Sequence, residues 1–364
     1  MDWSPFLLET QPYAYGKPEA QATLRTVPED FCVDEIPGFV PSGEGEHLFL
    51  HIRKRNQNTA WVAAQLAKAA GLRADAVSYA GLKDRRAITT QWFSVHLPHR
   101  QIPDFSALWN DDIELLAQTW NARKLKRGAH QGNRFGIVLR HVACDRAVLE
   151  ARLAQIAAAG VPNYVGPQRF GHDHANLTAG EQVLAGKPRR RLDHRESIAL
   201  SAVRSAFFNA VLGRRVAEQT WNRKLPGDVL MLEGHSSFFC PDADDAALPA
   251  RLAALDIHPT GPLPGRGTPA ITDEVLALET AVLQSAENLL AGLAHFGVEA
   301  QRRALRLKVS NLVWQWQNEN RQDENGQDNS SLHLAFALPS GAFATSVLRE
   351  LVQLRESVDA IPVE

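Results

Sequence analysis

Alternating apolar and polar positions divide the N-terminal part of the chain into short extended segments. Phe31-Cys32-Val33-Asp34-Glu35-Ile36 and His47-Leu48-Phe49-Leu50-His51-Ile52 fit strands, separated by the turn-forming Pro37-Gly38 and Gly43-Glu44-Gly45. The period then lengthens to that of a helix, which Asn58 or Thr59 caps and which runs through Trp61, Val62, Leu66 and Ala69 to Gly71. Residues 88–97 predict the next strand. Lys83-Asp84-Arg85-Arg86 therefore lies on a helix-to-strand connection, where a rigid frame commonly displays functional side chains. Residues 135–142 predict another strand and 146–159 an amphipathic helix, with Gly160-Val161-Pro162 as a break.

From 161 to 303 the pattern is mainly helical, with long helices at 197–216 and 273–296. Short strands are expected around 228–233, and the Pro- and Gly-rich stretch 259–269 predicts a loop. Strand character returns at 304–309 and 332–338, the latter placing Leu332, Leu334, Phe336 and Leu338 on one face. A closing helix starts at Thr345 or Ser346. Residues 318–331, rich in Asn and Asp, predict a mobile loop. There is no internal repeat.

Composition narrows the class. A length of 364 residues favours two or three domains, and 45% hydrophobic with 22% charged content is that of a globular protein. Three distant cysteines, Cys32, Cys144 and Cys240, argue against a disulfide framework and against a zinc site. No stretch approaches the length of a membrane span and the N-terminus lacks a basic-then-apolar signal, so a cytoplasmic location is expected.

The net charge of −2 does not announce a nucleic-acid binder, but the cations are clustered. Arg53-Lys54-Arg55, Arg123-Lys124-Leu125-Lys126-Arg127, Lys187 with Arg189–Arg191 and Arg195, and Arg302-Arg303 with Arg306 and Lys308 form four groups. Polyphosphate backbones reward such groups through counterion release. Phe31, Phe135 and Phe343 each follow a polar turn, and an extruded base needs an aromatic stacking surface and a group such as Asn133 for its edge. Taken singly, each Phe reads as core. His172-Asp173-His174 lacks a third ligand at useful spacing, and no phosphate-binding glycine loop is present.

Six segments in order carry more. They are Pro28-Glu29-Asp30-Phe31 with Glu35, Gly81-Leu82-Lys83-Asp84-Arg85, Gly132-Asn133-Arg134-Phe135, Pro162-Asn163-Tyr164-Val165-Gly166-Pro167-Gln168-Arg169-Phe170-Gly171, Leu200-Ser201-Ala202-Val203-Arg204-Ser205-Ala206-Phe207-Phe208-Asn209, and Gly341-Ala342-Phe343-Ala344-Thr345-Ser346. Over nearly the whole chain this set resembles the TruD family of tRNA pseudouridine synthases. The resemblance implies an α+β fold in which a catalytic core with a mixed, largely antiparallel sheet (residues 1–158 and 305–364) is interrupted by an inserted α/β domain (159–304). It also implies isomerisation of uridine-13 in tRNA to pseudouridine through a flipped-out base, without metal or organic cofactor; a monomer is the favoured assembly.

Carried across by position, Asp84 matches the catalytic aspartate. Phe31, Asn133 and Phe343 match positions lining the uridine pocket, and Phe135 matches an aromatic packed near the target base. Arg25 stands where relatives often carry Lys and is the expected counter-charge of Asp84. Lys83, Arg85 and Arg86 are expected at the surface or against phosphates, and replacing Phe31 by Ala is expected to spare the fold. An aspartate, with a reference pKa of ~3.9, can attack the sugar C1′, attack the base at C6 or remove the C2′ proton if a neighbouring cation keeps it ionised. The alternatives are a non-catalytic RNA-binding or RNA-folding module, and a hydrolase pairing Asp84 with Glu29, Asp30 or Glu35.

Overall fold

In the computed structural model, which describes residues 1–187, 192–242, 245–267, 270–322 and 328–355, the chain folds as two compact units. One unit combines Glu19–Arg146, Ser310–Gly341 and a short stretch from Val352; the other combines Met1–Pro18, Ala147–Val309 and Ala342–Leu351. Residues 1–18, 147–158, 305–309 and 342–351 thus lie with the middle of the chain, a division different from the expected domain limits. Among the described residues no helix is long and apolar enough to cross a membrane.

The first unit is built on one large mixed sheet. Its strands are β1 (Gln21–Leu24), β2 (Phe31–Pro37), β3 (His47–Arg55), β4 (Val77–Tyr79), β5 (Ile88–His96), β6 (Ile113–Asn121) and β7 (His130–Ala143), joined by the hairpin Ser310–Gln322/Asp328–Pro339 and the short strand Gln353–Arg355. From the hairpin the order is Ser310–Gln322, Asp328–Pro339, β7, β2, β5, β3, β6. β2 runs parallel to β5 and β1 parallel to Gln353–Arg355; the other pairs are antiparallel. The architecture is α+β.

Register decides what shares a face. Lys54 opposes Thr89, Thr89 opposes Val33, Val33 opposes Phe135 and Phe135 opposes Phe336, so these five side chains form one row across the sheet. Two residues along each strand, Glu35, Asn133 and Leu338 make another row, with Gln91 of β5 on the same face. Helix α1 (Thr59–Ala69) covers this face further along, packing Val62 and Leu66 against Leu48, Leu50, Ile52, Phe93 and Val95. Each such buried side chain contributes roughly 1.5–3 kcal/mol.

In the second unit the helix His194–Ala217 is the axis of the core. Asp193 and Glu196 close its first turn reciprocally: Asp193 Oδ1 accepts from the Glu196 N–H (2.8 Å) and Glu196 Oε2 from the Asp193 N–H (2.9 Å). Phe207, Phe208 and Leu212 are fully buried, and Asn209 bonds both backbone groups of Val165.

Several expected elements differ. Residues 259–263 are not loop but part of the strand Ile257–Leu263; its Gly261 lets the backbone approach Phe208 and Leu305, which an added Cβ would crowd. The expected mobile loop 318–331 is mostly ladder, since the hairpin strands run to Gln322 and restart at Asp328; residues 323–327 lie outside the described residues. Cross-strand pairing overrides a loop-like polar composition there. The expected helix 273–296 is two helices, Asp273–Leu283 and Glu287–His295, joined by a tight turn at Gln284–Ala286.

Candidate active site

The loop between β4 and β5, residues 80–87, carries Asp84 and is tied down at every step. Asn58 caps α1 by accepting from the Ala60 and Trp61 N–H groups, which leaves the Thr59 hydroxyl free to look away from the helix. That hydroxyl accepts from the Lys83 N–H (3.1 Å) and donates to Gln91 Oε1 (3.0 Å), while Gln91 Nε2 donates to the Gly81 carbonyl (3.1 Å). The Lys83 ammonium lies 3.1 Å from Glu35 Oε2 with both side chains almost fully buried. Glu35 Oε1 in turn accepts from the Trp92 N–H. Finally Lys54 Nζ donates to the carbonyls of Gln57 (2.6 Å) and Asp84 (3.2 Å).

While the backbone of Asp84 is held, its carboxylate stays partly open. Arg25 Nη2 lies 3.2 Å from Asp84 Oδ1, with the two side chains 27% and 32% exposed. Arg25 has left-handed backbone (φ 60°), which a non-glycine residue adopts at a cost and which turns the chain as it leaves β1. Its guanidinium sits over the Phe31 ring, 4.0 Å from the centroid. Phe31 packs edge-on against Phe135 (6.2 Å), and Phe135 stacks on Phe336 (5.4 Å). One continuous series therefore links the sheet face to the carboxylate: Phe336, Phe135, Phe31, Arg25, Asp84.

Polar groups around this series are undersatisfied. Among the described residues ten buried side-chain polar atoms lack a hydrogen-bond partner, and five belong here: Arg25 Nε, Glu35 Oε2, Thr89 Oγ1, His130 Nδ1 and Asn133 Oδ1. The Glu35 oxygen meets the Lys83 charge without a well-directed hydrogen bond. Leaving the other four without partners costs about 1–3 kcal/mol each, which marks donor and acceptor capacity to spare on this part of the sheet unit. His130, whose Nε2 is 3.2 Å from Ser340 Oγ, packs against Gly81, where an added Cβ would come within 3.3 Å of Cε1. Burial, helped by the Lys83 charge, pushes its pKa below the usual histidine range.

Of the residues singled out from sequence, Asp84, Arg25, Phe31, Asn133 and Phe135 belong to the sheet unit. Phe31 and Phe135 are 2% and 6% exposed and so part of the packing; loss of the Phe31 ring removes core, contrary to the expectation that Phe31→Ala spares the fold. Phe343 belongs to the other unit, where it is half-buried against the core around Phe207 and immediately precedes the helix Ala344–Leu351. Lys83 is neither at the surface nor against solvent but buried on Glu35, whereas Arg85 is exposed. Sequence reading missed the clamps Lys54, Thr59 and Gln91, and the imidazole of His130; the only signal was their placement on faces that later proved shared.

Two of the four cationic clusters are largely engaged in pairs within the chain, the first of them in surface ion pairs. In the first, Arg53 pairs with Glu114 and Arg55 with Glu29 and Asp112, and Lys54 is buried. In the last, Arg302 pairs with the buried Glu279, and Arg306 donates to the carbonyls of Leu252 and Ile257. In the group Arg123–Arg127, Lys124 Nζ donates to the Asp75 carbonyl and Arg127 lies over the Tyr79 ring; Arg189–Arg191 lie outside the described residues. Among the described residues no three His, Cys, Asp or Glu side chains converge as metal ligands, and the side chains of His172 and Asp173 are exposed.

Comparison with known proteins identifies the family. The family described as tRNA pseudouridine synthase D (TruD) matches residues 7–194 and 191–351. The tRNA pseudouridine synthase D of Methylococcus capsulatus is 48% identical over 345 residues, 94% of each chain. That of Hydrogenovibrio crunogenus is 41% identical, covering 97% of this chain and 99% of its own. A solved structure described as tRNA pseudouridine synthase D of Methanosarcina mazei superposes with a TM-score of 0.73 at 22% identity, over 97% of this chain and 98% of that one, and supports the fold.

Proposed function

The chain belongs to the tRNA pseudouridine synthase D family, and from that premise we propose that it isomerises uridine-13 of tRNA to pseudouridine with Asp84 as the catalytic carboxylate. One observation carries this reading. Asp84 is fixed through its backbone and partnered by Arg25, whose Nε is a buried donor without a partner, while about a third of the Asp84 side chain stays exposed. Beside that single ion pair its side chain stays open to a ligand.

The reaction breaks the C1′–N1 bond, turns the uracil and joins C1′ to C5. The C5 proton leaves and N1 gains one, so no electrons enter or depart and no redox partner is required. Asp84 acts as nucleophile at C1′ or C6, or as base at C2′–H, and each route requires the ionised carboxylate that the Arg25 guanidinium neighbours. Asn133 Oδ1, an acceptor without a partner, suits an N–H on the uracil edge. Arg25, Phe31, Phe135 and Phe343 complete the proposed substrate-binding set. In the free protein the Phe31 ring is buried and covered by Arg25, so a base stacking on it would have to displace the guanidinium. Extruding a base costs a few kcal/mol, least where the RNA is irregular, which favours a loop in folded tRNA. Residues 159–304 are proposed as an inserted domain contributing to tRNA binding.

The test is release of tritium from tRNA carrying C5-labelled uridine. Wild type is expected to release it and Asp84→Ala is not. Tight tRNA binding without release by either protein would favour a non-catalytic RNA-binding module, and free uracil would indicate hydrolysis.

A further inference from the structure

We propose that Lys54 is a positioning residue for Asp84, holding the loop carbonyl of the catalytic aspartate from a buried seat in the sheet. The inference deepens the function proposed above and rests on it. Lys54 is 0% exposed, in a strand whose same-face neighbours Leu48, Leu50 and Ile52 are core. A methionine or leucine would continue that face at no electrostatic cost, and fully buried lysines are rare. What the lysine supplies is reach: its ammonium crosses to two main-chain carbonyls, Gln57 at 2.6 Å and Asp84 at 3.2 Å. Neither acceptor is a carboxylate, so the arrangement is a poor way to gain stability and a direct way to fix a loop.

The surroundings of Lys54 make its charge matter to Asp84. From the loop it faces Asp84 and Lys83; from β5 the uncharged Thr89, from β6 the uncharged Ile113, and before α1 the uncharged Gln57. Its strand neighbours Arg53 and Arg55 lie on the opposite face, engaged with Glu114, Glu29 and Asp112. Burial pushes the Lys54 amine down to about 8, the Asp84 charge opposing that shift and Lys83 adding to it. Asp84 is thus held at two ends by two cations, its carboxylate by Arg25 and its carbonyl by Lys54. As pH rises through about 8 the second grip weakens, because a neutral amine donates a weaker hydrogen bond than an ammonium.

The experiment compares full-length wild type, Lys54→Met and Lys54→Arg in single-turnover tritium release, with tRNA affinity measured alongside, across about pH 6.5 to 9.5. Wild-type release is expected to fall above pH 8 while affinity stays level. At neutral pH Lys54→Met is expected to lose roughly 10–100-fold in rate, the penalty of a misplaced catalytic group, with affinity little changed. Lys54→Arg is expected to recover part of that loss and to show no alkaline fall. The proposal is overturned if Lys54→Met turns over at the wild-type rate, if its loss is one of tRNA affinity, or if Lys54→Arg keeps the wild-type alkaline fall. Should Lys54→Met fail to fold, the wild-type and Lys54→Arg profiles decide. A wild type that releases no tritium overturns the proposed function itself and is distinguishable from all of these.

Discussion

Both units contain arginine–aspartate pairs, and Arg215–Asp228 in one is finished differently from Arg25–Asp84 in the other. In the helical unit Arg215 grips Asp228 through two contacts, Nη1 to Oδ1 at 3.1 Å and Nη2 to Oδ2 at 2.9 Å. The remaining Arg215 donors reach the carbonyls of Thr220 and Arg223, and Asp228 Oδ2 also accepts from the Leu225 N–H. Both side chains are sealed from solvent. In the sheet unit Arg25 meets Asp84 at a single contact of 3.2 Å, about a third of each side chain is exposed, and Arg25 Nε has no partner. The same two residue types make a joint in one place and a reactive edge in the other. What separates them is the degree of saturation: a pair with every donor and acceptor engaged has nothing to offer a ligand.

The contrast can be broken at several points. The largest expected effect is on chemistry: Asp84→Asn should lower tritium release by about 10³-fold or more while leaving the thermal unfolding curve in place. Asp228→Ala should do the reverse, costing about 3–5 kcal/mol in denaturant unfolding by stranding a buried arginine, with turnover per folded molecule unchanged. Phe31→Ala should resemble Asp228→Ala in stability, about 3–5 kcal/mol, because the ring is core, and should also impair turnover by releasing Arg25. Arg25→Lys keeps the charge but loses the planar fork that rests on Phe31; roughly a tenfold loss of turnover with little change in unfolding is expected. An Arg25→Lys protein that unfolded like Asp228→Ala would erase the contrast.

The smallest effect concerns pH. The amine of Lys54, at about 8 in the folded chain, lies below the usual 10.5 of a lysine. Between those values the unfolded chain holds the proton and the folded chain does not, so this group makes stability rise with pH, by up to about 1.4 kcal/mol per unit. Below pH 8 both states are protonated and the group contributes no slope. Unfolding of wild type and Lys54→Met compared from about pH 7.5 to 9.5 should show the wild type gaining on the variant.

How much of this could be read from the sequence depended on how far apart the partners lie. Alternation in residues 31–36 and 47–52 marks strands because one face is buried, and Asn58 and Gly71 bracket α1 by local capping chemistry. Asp84 stood out through its motif. Lys54 did not, because between Arg53 and Arg55 it reads as one more solvated cation; only the register that places it opposite Thr89, on the face of Ile52, reveals it as buried. Glu35 and Lys83 stand in separate motifs, and their ion pair is revealed only by the parallel pairing of β2 with β5. The polar stretch at 318–331 misled for the converse reason, since its strand character comes from the partner strand rather than from its own composition.

The position of the hairpin in the chain has a consequence for synthesis. β7 receives its outer neighbour, Asp328–Pro339, only after the whole of Ala147–Val309 has been made. Until then the edge bearing Asn133 and Phe135 is bare, and an unpaired edge of that length invites other nascent chains. Contacts so distant in sequence are also slow to form. A ribosome that stalls within the helical unit therefore releases a product that has Asp84 and Arg25 but lacks the Phe336 ring on which Phe135 stacks.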